Sequence, residues 1–320
     1  MIRERIVLIL GAGASVPYGF PTGAQLCRWV RGLIDHPKDP FNRSVWDRAK
    51  PVLQELGFDE VQQREFVHAL SRSGRRSVDA FLEFRQEFVD IGKAFIAYFL
   101  ILRENERSLF DVTPDWYHYL FDKMNCPLKS FSLNRLSIIT FNYDRSFEHF
   151  LFTALRNSYG ATEDLVASAV QIIPITHVHG QLGLLPWQSG ASPENVRPYE
   201  ATPSARNVRV AADGIKIISE AEDSTPEFEE AHNYLEDAKQ VHFLGFGYFP
   251  KNMQRLRLPK KGQAHPWLKA ALSGTFYDLR EPEALKICGP YARLSPSPKE
   301  YTTLEYLRNS ETFLSACRLE

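Results

Sequence analysis

Four short apolar runs along the chain are typical of strands that are buried on both faces of a parallel sheet. They are Arg5–Leu10, Leu136–Phe141, Ile172–Val178 and Val241–Leu244. A glycine-rich or polar motif follows or closes each run. Because the carboxyl ends of parallel strands meet at one edge of the sheet, we expect these motifs to line a common crevice.

The positions between the first two runs follow the 3.6-residue period of helices. Thr22 is a suitable N-cap for a helix that extends to Ile34, whereas three prolines predict a loop from Asp35 to Pro51. From Asp59 to Met124 the pattern is helical throughout and includes one long amphipathic helix over Val78–Leu102. We interpret residues 59–124 as a helical insertion or subdomain.

The α/β pattern resumes at Leu136. We predict helices over Asp144–Arg156, Glu227–Ala238 and Ala264–Leu272, short strands over Ile215–Ile218 and Phe276–Leu279, and an extended loop over Leu184–Ser204. The predicted fold class is α/β, a Rossmann-like parallel sheet with helices on both faces and a helical subdomain inserted after the first βα unit. Residues 1–58 and 125–285 would form the α/β domain, 59–124 the helical subdomain and 286–320 a C-terminal helical tail.

Composition narrows the function classes. A net charge of −1 gives no overall basic surface, so direct nucleic-acid binding is not expected. The four cysteines form no Cys-x-x-Cys pair, which disfavours a structural zinc site. The longest apolar run, Ala94–Leu102, is too short to span a bilayer, and a charged start that leads directly into a strand leaves no room for a signal peptide. We therefore expect a cytoplasmic protein with free thiols that does not bind membranes.

The first motif, Gly11-Ala12-Gly13-Ala14-Ser15, is typical of a strand-to-helix turn that presents N–H groups to a phosphate. Gly11 and Gly13 permit a tight turn and close approach of a pyrophosphate. Val16 replaces the third glycine of the dinucleotide fingerprint, and no acidic residue follows a second strand about 20 residues on. A hydride-transfer dehydrogenase is therefore disfavoured, and a plain strand-to-helix turn remains the alternative.

The second motif is Thr140-Phe141-Asn142-Tyr143-Asp144. The amide of Asn142 both donates and accepts hydrogen bonds, which suits the binding of a ribose hydroxyl or a water. Asp144 is a suitable cap for the helix that follows. A purely local turn or capping role is the alternative for Asn142.

The third motif, His177-Val178-His179-Gly180, places two histidines at alternate positions. Alternation puts both on one face of an extended strand and raises the question of a metal site, but no third and fourth ligand is evident. We favour His179, at the strand end, as the acid/base residue, because a histidine pKa near neutrality suits proton transfer. Gly180 would let the substrate approach closely, and His177 would be a buried structural residue.

The fourth motif, Gly245-Phe246-Gly247, repeats the glycine turn at the end of the last apolar run. Such a turn would face the ribose or the adenine of a nucleotide, and Asn252 is a candidate contributor. A simple loop is the alternative.

Together these motifs resemble the sirtuin superfamily, and most of all its zinc-free bacterial branch of NAD hydrolases from anti-phage defence systems. The matching elements are Gly11-Ala12-Gly13-Ala14-Ser15 with Gly19-Phe20-Pro21, Ser77-Val78-Asp79-Ala80-Phe81-Leu82-Glu83, Thr140-Phe141-Asn142-Tyr143-Asp144, His179-Gly180 and Gly245-Phe246-Gly247. Their order and spacing agree with the family along Ile6 to Leu279.

The chain departs from deacylating sirtuins in two places. No cysteine lies between His179 and Cys288, where those enzymes carry a four-cysteine zinc module. Pro21-Thr22-Gly23 stands where they carry an Asp-Phe-Arg segment. Both departures argue against acyl-lysine binding, and the missing cysteines also argue against a bound zinc. Neither departure touches the motifs expected to bind NAD.

The resemblance implies an NAD+ glycohydrolase that releases nicotinamide and ADP-ribose, with NAD as substrate and depletion of NAD as the output in abortive infection. It implies catalytic roles for His179 and Asn142. It implies NAD contacts from Gly11, Ala12, Gly13, Ser15, Pro21, Thr140, Asp144, Gly180, Gly245 and Gly247. The alternatives are an NAD-dependent protein deacylase or ADP-ribosyltransferase, and a nucleotide-binding sensor or assembly subunit with little catalysis.

The resemblance also implies partners and a means of control. A defence enzyme of this kind must stay silent in healthy cells, so we expect a partner protein or infection signal, and the loop Leu184–Ser204 is a candidate gate. The aromatic-rich stretch of residues 59–124 suggests self-association into a homo-oligomer.

Overall fold

The computed structural model describes residues 1–35, 39–112, 115–217, 225–262, 270–277, 279–296 and 300–317. Within these ranges, parallel strands form one open six-stranded sheet in the order β3-β2-β1-β4-β5-β6. The strands are β1 (Ile6–Leu10), β2 (Leu136–Thr140), β3 (Ile175–His177), β4 (Gln240–Leu244), β5 (Ala271–Gly274) and β6 (Leu294–Pro296). Helices flank the sheet, so the predicted Rossmann-like α/β fold class is confirmed.

The helices of the described ranges include three short 3₁₀ segments, at Ala12–Tyr18, Gln86–Phe88 and Leu128–Leu133. The α-helices are α1 (Gly23–Asp35), α2 (Pro40–Glu55), α3 (Glu60–Arg72), α4 (Val78–Leu82), α5 (Val89–Ile101), α6 (Arg107–Phe110), α7 (Trp116–Met124), α8 (Ser146–Tyr159), α9 (Glu163–Gln171), α10 (Ala205–Gly214), α11 (Pro226–Asp237), α12 (Pro250–Arg255), α13 (Glu281–Cys288), α14 (Thr303–Asn309) and α15 (Glu311–Ala316). Thr22 caps α1 as predicted, since its Oγ1 accepts the N–H of Gln25 at 3.3 Å.

Two hydrophobic cores cover the two faces of the sheet. Alternate residues of β1 divide between them, with Leu8 in the core that holds α1, α3, α5, α7 and α8, and Ile9 in the core that holds α11, α12 and α13. All of β1 is buried, which explains why it lacks the polar alternation of a half-exposed strand.

The chain reverses its direction across the sheet beside β1. It proceeds from β1 to β2 and β3 on one side and then returns to β4 on the other. Leu10 is in register with both Thr140 and Leu244, so the three strands end at the same level. In open α/β sheets this switch point is where ligands bind, outside the carboxyl ends of the strands.

The helix α2 replaces most of the loop predicted from Asp35 to Pro51. The side chain of Asp39 accepts the N–H of Asn42 at 2.9 Å and caps the helix. Buried apolar side chains then recur every four residues, at Val45, Ala49 and Leu53. Burial of this face outweighs the cost of Pro51 inside the helix.

The long helix predicted over Val78–Leu102 is instead broken into α4, a 3₁₀ turn and α5. The chain folds back on itself between Leu82 and Gly92. A Cβ on Gly92 would lie 2.6 Å from Cδ1 of Leu82, so a larger residue there would require the Leu82 side chain to move. Phe81 and Leu82 of α4 and Phe95 of α5 are buried, as the apolar spacing indicates, but Phe84 is exposed. The spacing also missed the turn that lets α4 pack on α5.

The C-terminal part of the sheet also differs from the prediction. β5 precedes the strand predicted at Phe276–Leu279, and the predicted tail contributes β6 to the sheet. Ile215 makes a single bridge with Gly180 in place of a strand. The helix predicted over Ala264–Leu272 lies mostly outside the described residues, as does Ile218.

The helical stretch of residues 59–124 shares a core with the sheet. The Nε1 of Trp116 donates to the carbonyl of Ala14 at 2.8 Å, and Tyr117 stacks on Tyr18 with ring centroids 3.7 Å apart. Most of its aromatic rings are covered within the chain, although Phe84 is 62% exposed. Coverage of these rings weakens the reason for expecting self-association there, and the oligomeric state stays a prediction. No helix among the described residues is long and apolar enough to cross a membrane.

Candidate functional site

The glycine turns at the ends of β1 and β4 interlock through their backbones. Gly11 donates its N–H to the carbonyl of Leu244, and Gly13 donates its N–H to the carbonyl of Gly245, both at 3.0 Å. A Cβ on Gly13 would lie 2.8 Å from the Cα of Gly245, and a Cβ on Gly245 would lie 2.0 Å from the nitrogen of Ala14. These glycines therefore let two backbones touch, and their contact with a pyrophosphate stays a prediction.

Asn142 joins the end of β2 to the β1 turn. Its Nδ2 donates to the carbonyl of Gly11 at 3.0 Å and to Oγ of Ser15 at 3.2 Å. Its backbone N–H donates to Oγ1 of Thr140 at 3.1 Å. Both amide hydrogens thus hold the turn in place, so the predicted orientation of a ribose or a water by Asn142 would have to use Oδ1.

Ser15 and Asp144 extend this network towards the helical stretch. The hydroxyl of Ser15 donates to Oδ2 of Asp144 at 2.8 Å, while Oδ1 accepts the N–H of Ser146 at 3.2 Å and also its hydroxyl. The hydroxyl of Tyr117 forms a 2.6 Å hydrogen bond with the hydroxyl of Ser146. Burial raises the pKa of Asp144. A cavity of about 10 Å³ beside these groups has room for one water molecule and not for a nucleotide.

His177 closes the network and has a partner on each ring nitrogen. Nδ1 lies 2.9 Å from the carbonyl of Asn142, and Nε2 lies 2.5 Å from Oε1 of Glu148. Burial alone would lower the pKa of His177, but the Glu148 carboxylate and the Asn142 carbonyl outweigh it and raise that pKa. The cluster therefore favours a charged imidazolium that donates from both nitrogens.

The two histidines do not share a face, so the expectation from alternation is wrong. β3 ends at His177, and the N–H of Gly180 donates back to the carbonyl of His177 at 3.1 Å to close a turn. The turn directs His179 into the other core, where its ring packs edge-on against Phe141 at 5.4 Å and Phe228 at 5.9 Å between centroids. Alternation applies only while the strand continues. Within the described ranges, no three histidine, cysteine or carboxylate side chains gather as metal ligands.

His179 lies in this aromatic pocket without a hydrogen-bond partner. It is 3% exposed, and among the described residues neither Nδ1 nor Nε2 is bonded. Oδ1 of Asn252, a residue that is 8% exposed, is unbonded as well. Because buried polar groups are normally hydrogen-bonded, each of these atoms requires an explanation.

The pocket keeps the imidazole of His179 neutral. Burial is the main cause that lowers the pKa of His179 to about 4, and the nearby Arg255, Lys251 and Lys216 lower it further. Asn252 lies close enough to raise the pKa of His179, although the two side chains do not form a hydrogen bond of good geometry. The imidazole is therefore unprotonated at neutral pH, but its pKa lies well below the near-neutral value expected from the sequence for an acid/base residue.

Gly180 lies against the segment that follows α10. Its φ is +74°, and a Cβ there would lie 2.0 Å from the carbonyl oxygen of Gly214. Beside it, the N–H of Gln181 donates to Gly214 at 3.0 Å and the N–H of Lys216 donates to the carbonyl of His179 at 2.8 Å. The glycine is therefore required for backbone packing that fixes His179, and its predicted contact with a substrate stays a prediction.

The remaining predicted residues lie on the elements expected of them. Ala12 begins the 3₁₀ segment after β1, and Pro21 is buried directly before the cap of α1. Gly247 lies in the turn after β4, where a Cβ would come within 2.7 Å of the Phe249 ring. Their NAD contacts stay predictions.

The loop Leu184–Ser204 is fixed by a buried ion cluster that the sequence did not reveal. Arg145 forms a bidentate pair with Glu104, with Nη2 2.8 Å from Oε2, and Arg197 reaches the same carboxylate at 2.5 Å. Arg145 also donates to three carbonyls of the loop, those of Leu184, Arg197 and Pro198, and to the carbonyl of Gly183 directly before it. A loop held in this way is poorly suited to be the predicted gate.

The predicted site residues thus fall into two clusters. Asn142, Ser15, Thr140 and Asp144 form one hydrogen-bonded network with Gly11, whereas His179 lies with Asn252 in the aromatic pocket. No hydrogen bond or ring contact joins the side chains of Asn142 and His179 within the described part of the chain. No protein-family model matches the chain, and a search of curated proteins finds no significant relative.

Proposed function

We propose that the protein is an NAD+ glycohydrolase that acts in anti-phage defence. The observation that carries the proposal is the unbonded, neutral His179 in an aromatic pocket at the carboxyl edge of a Rossmann-like sheet. The choice of NAD+ as the substrate comes from the resemblance of the motifs to zinc-free sirtuin-like NAD hydrolases.

The proposed reaction consumes NAD+ and water and releases nicotinamide, ADP-ribose and a proton. Nicotinamide leaves with the bonding electrons, and the ribose develops oxocarbenium character, as in glycoside cleavage generally. Neutral His179 accepts the proton from the attacking water or from a ribose hydroxyl. The rings of Phe141 and Phe228 pack against His179, Phe246 packs against Phe141, and together these rings would exclude other water.

Access to His179 requires a movement, because the residue is almost fully buried. The short helix α12 carries Asn252 over the pocket, and Lys251 of the same helix pairs with Glu83 at 2.8 Å. Glu83 is the last residue of Ser77–Glu83, one of the segments that resemble the defence proteins. We propose that displacement of α12 admits the substrate and that this opening limits the rate of turnover.

A nucleotide sensor with little catalysis is the second candidate, and the closed pocket favours it. A sensor would bind NAD or ADP-ribose without releasing nicotinamide. Turnover therefore distinguishes the two candidates.

The test measures nicotinamide release and NAD binding by the purified chain, with and without an acyl-lysine peptide. Release that does not depend on the peptide supports the glycohydrolase, and release only with the peptide favours deacylation. Binding without release favours the sensor. An NAD level that stays constant in infected cells during successful protection would overturn the defence role, and absence of NAD binding would overturn both.

A further inference from the structure

Three buried polar atoms beside one another lack partners among the described residues: Nδ1 and Nε2 of His179 and Oδ1 of Asn252. Other buried polar groups at this edge, such as those of Asn142 and Ser15, are hydrogen-bonded. A buried group without a partner forfeits its hydrogen bond to water and gains nothing in return. A ligand that supplied the missing bonds would account for this arrangement.

We propose that Asn252 is a ligand-binding residue and that, together with His179, it binds a hydroxyl of the ligand's terminal ribose, the ribose that carries nicotinamide in NAD. The inference rests on the proposed function and adds a residue of the β4 side to the site. Within it, Oδ1 of Asn252 accepts the hydroxyl hydrogen, and His179 takes part through one of its ring nitrogens.

The chemistry of the three atoms selects the kind of ligand. Oδ1 of Asn252 is an acceptor only, while a neutral imidazole offers one N–H donor and one acceptor nitrogen. A phosphate at neutral pH carries acceptors without a donor for Oδ1. A hydroxyl donates and accepts, and the vicinal hydroxyls of a ribose match two acceptors and one donor.

The placement of Asn252 agrees with this role. His179 follows β3, whereas Asn252 lies in α12 after β4, and β1 and β2 lie between these strands. The pair therefore spans the switch point of the sheet from both sides. A residue of the short helix that follows the Gly247 turn thereby gains a role in recognition.

The test compares binding of ADP-ribose with binding of ADP, which lacks the terminal ribose, by titration calorimetry. We expect Asn252→Ala to weaken ADP-ribose binding about tenfold, as for the loss of one hydrogen bond, and to leave ADP binding unchanged. Gln254→Ala, an exposed position of the same helix, is the matched control and should bind both as the wild type does.

A second variant keeps the proposal testable if Asn252→Ala unfolds. Asn252→Asp retains an acceptor and adds a charge beside the ring, so it should raise the pKa of His179 in an NMR titration and retain ADP-ribose binding. Equal losses of ADP and ADP-ribose binding would mean that Asn252 contacts the phosphates or the adenosine, and unchanged ADP-ribose binding would mean no ligand role. Either result overturns the inference. Absence of ADP-ribose, ADP and NAD binding by the wild type would instead overturn the proposed function.

Discussion

His177 and His179 are two residues apart in the chain and occupy opposite kinds of environment. His177 has a hydrogen-bond partner on each nitrogen and a raised pKa. His179 has no partner on either nitrogen and a pKa lowered to about 4. The difference teaches that a buried histidine whose bonds are satisfied serves the fold, and that one left unsatisfied is the better candidate for chemistry.

The largest expected effect is on turnover. His179→Ala should lower nicotinamide release about 100- to 10,000-fold, the usual cost of removing a general acid or base. His68→Ala, at an exposed position of α3, is the matched control and should be as active as the wild type. Activity of His179→Ala within about threefold of the control would contradict the assignment.

His177→Ala should act on stability. Its loss leaves the Glu148 carboxylate buried without its cation, and breaking a buried pair costs about 3–5 kcal/mol of the free energy of unfolding. Urea denaturation measures the effect. If His177→Ala lowered the free energy of unfolding no more than His179→Ala does, the distinction between the two histidines would be lost.

The lowered pKa of His179 should make the stability of the protein depend on pH. His179 has its ordinary pKa of 6.5 in the unfolded protein and a pKa of about 4 in the folded protein. Between these values the unfolded state binds the proton more tightly, so the free energy of unfolding falls as the pH falls from 6.5 to 4. The shift corresponds to at most about 3 kcal/mol. Unfolding at several pH values should show a shallower slope for His179→Gln than for the wild type, and parallel slopes would contradict the buried neutral state.

Asn142→Ala tests whether the network also contributes to catalysis. Loss of its bonds to Gly11 and Ser15 should cost about 1–3 kcal/mol of stability. If Asn142 orients the ribose or the water, activity per folded molecule should fall as well. Unchanged specific activity together with a lowered Tm would restrict Asn142 to the turn.

The smallest expected effect concerns access to the pocket. Glu83→Gln removes the partly exposed ion pair with Lys251, and such pairs contribute about 0.2–1 kcal/mol. If this pair keeps α12 closed, the variant should bind NAD up to about fivefold more tightly. Lys50→Met, which removes an ion pair with Glu60 away from the pocket, is the control. Weaker binding by Glu83→Gln would argue that the pair does not restrict access.

The sequence was sufficient for the strands whose signal is strong. β1, β2 and β4 combine an apolar run with a closing motif, and their ends converge as predicted. β5 and β6 have four and three residues, too few for a periodic signal, and Pro51 concealed α2. The residues that the sequence proposes for the site do not form one cluster, because the turn after His177 is decided by tertiary packing. Long-range pairs such as Arg145 with Glu104 leave no local pattern.

The Glu104 cluster has a consequence for how this protein is divided into parts. Glu104 belongs to the helical stretch, yet its carboxylate neutralises Arg145 and Arg197 of the α/β portion, and all three residues are almost completely buried. A shortened gene product without residues 59–124 would leave two arginines uncompensated in a dry interior. The helical stretch is therefore not a detachable cassette, and exchanging it between homologues requires moving both arginines with it.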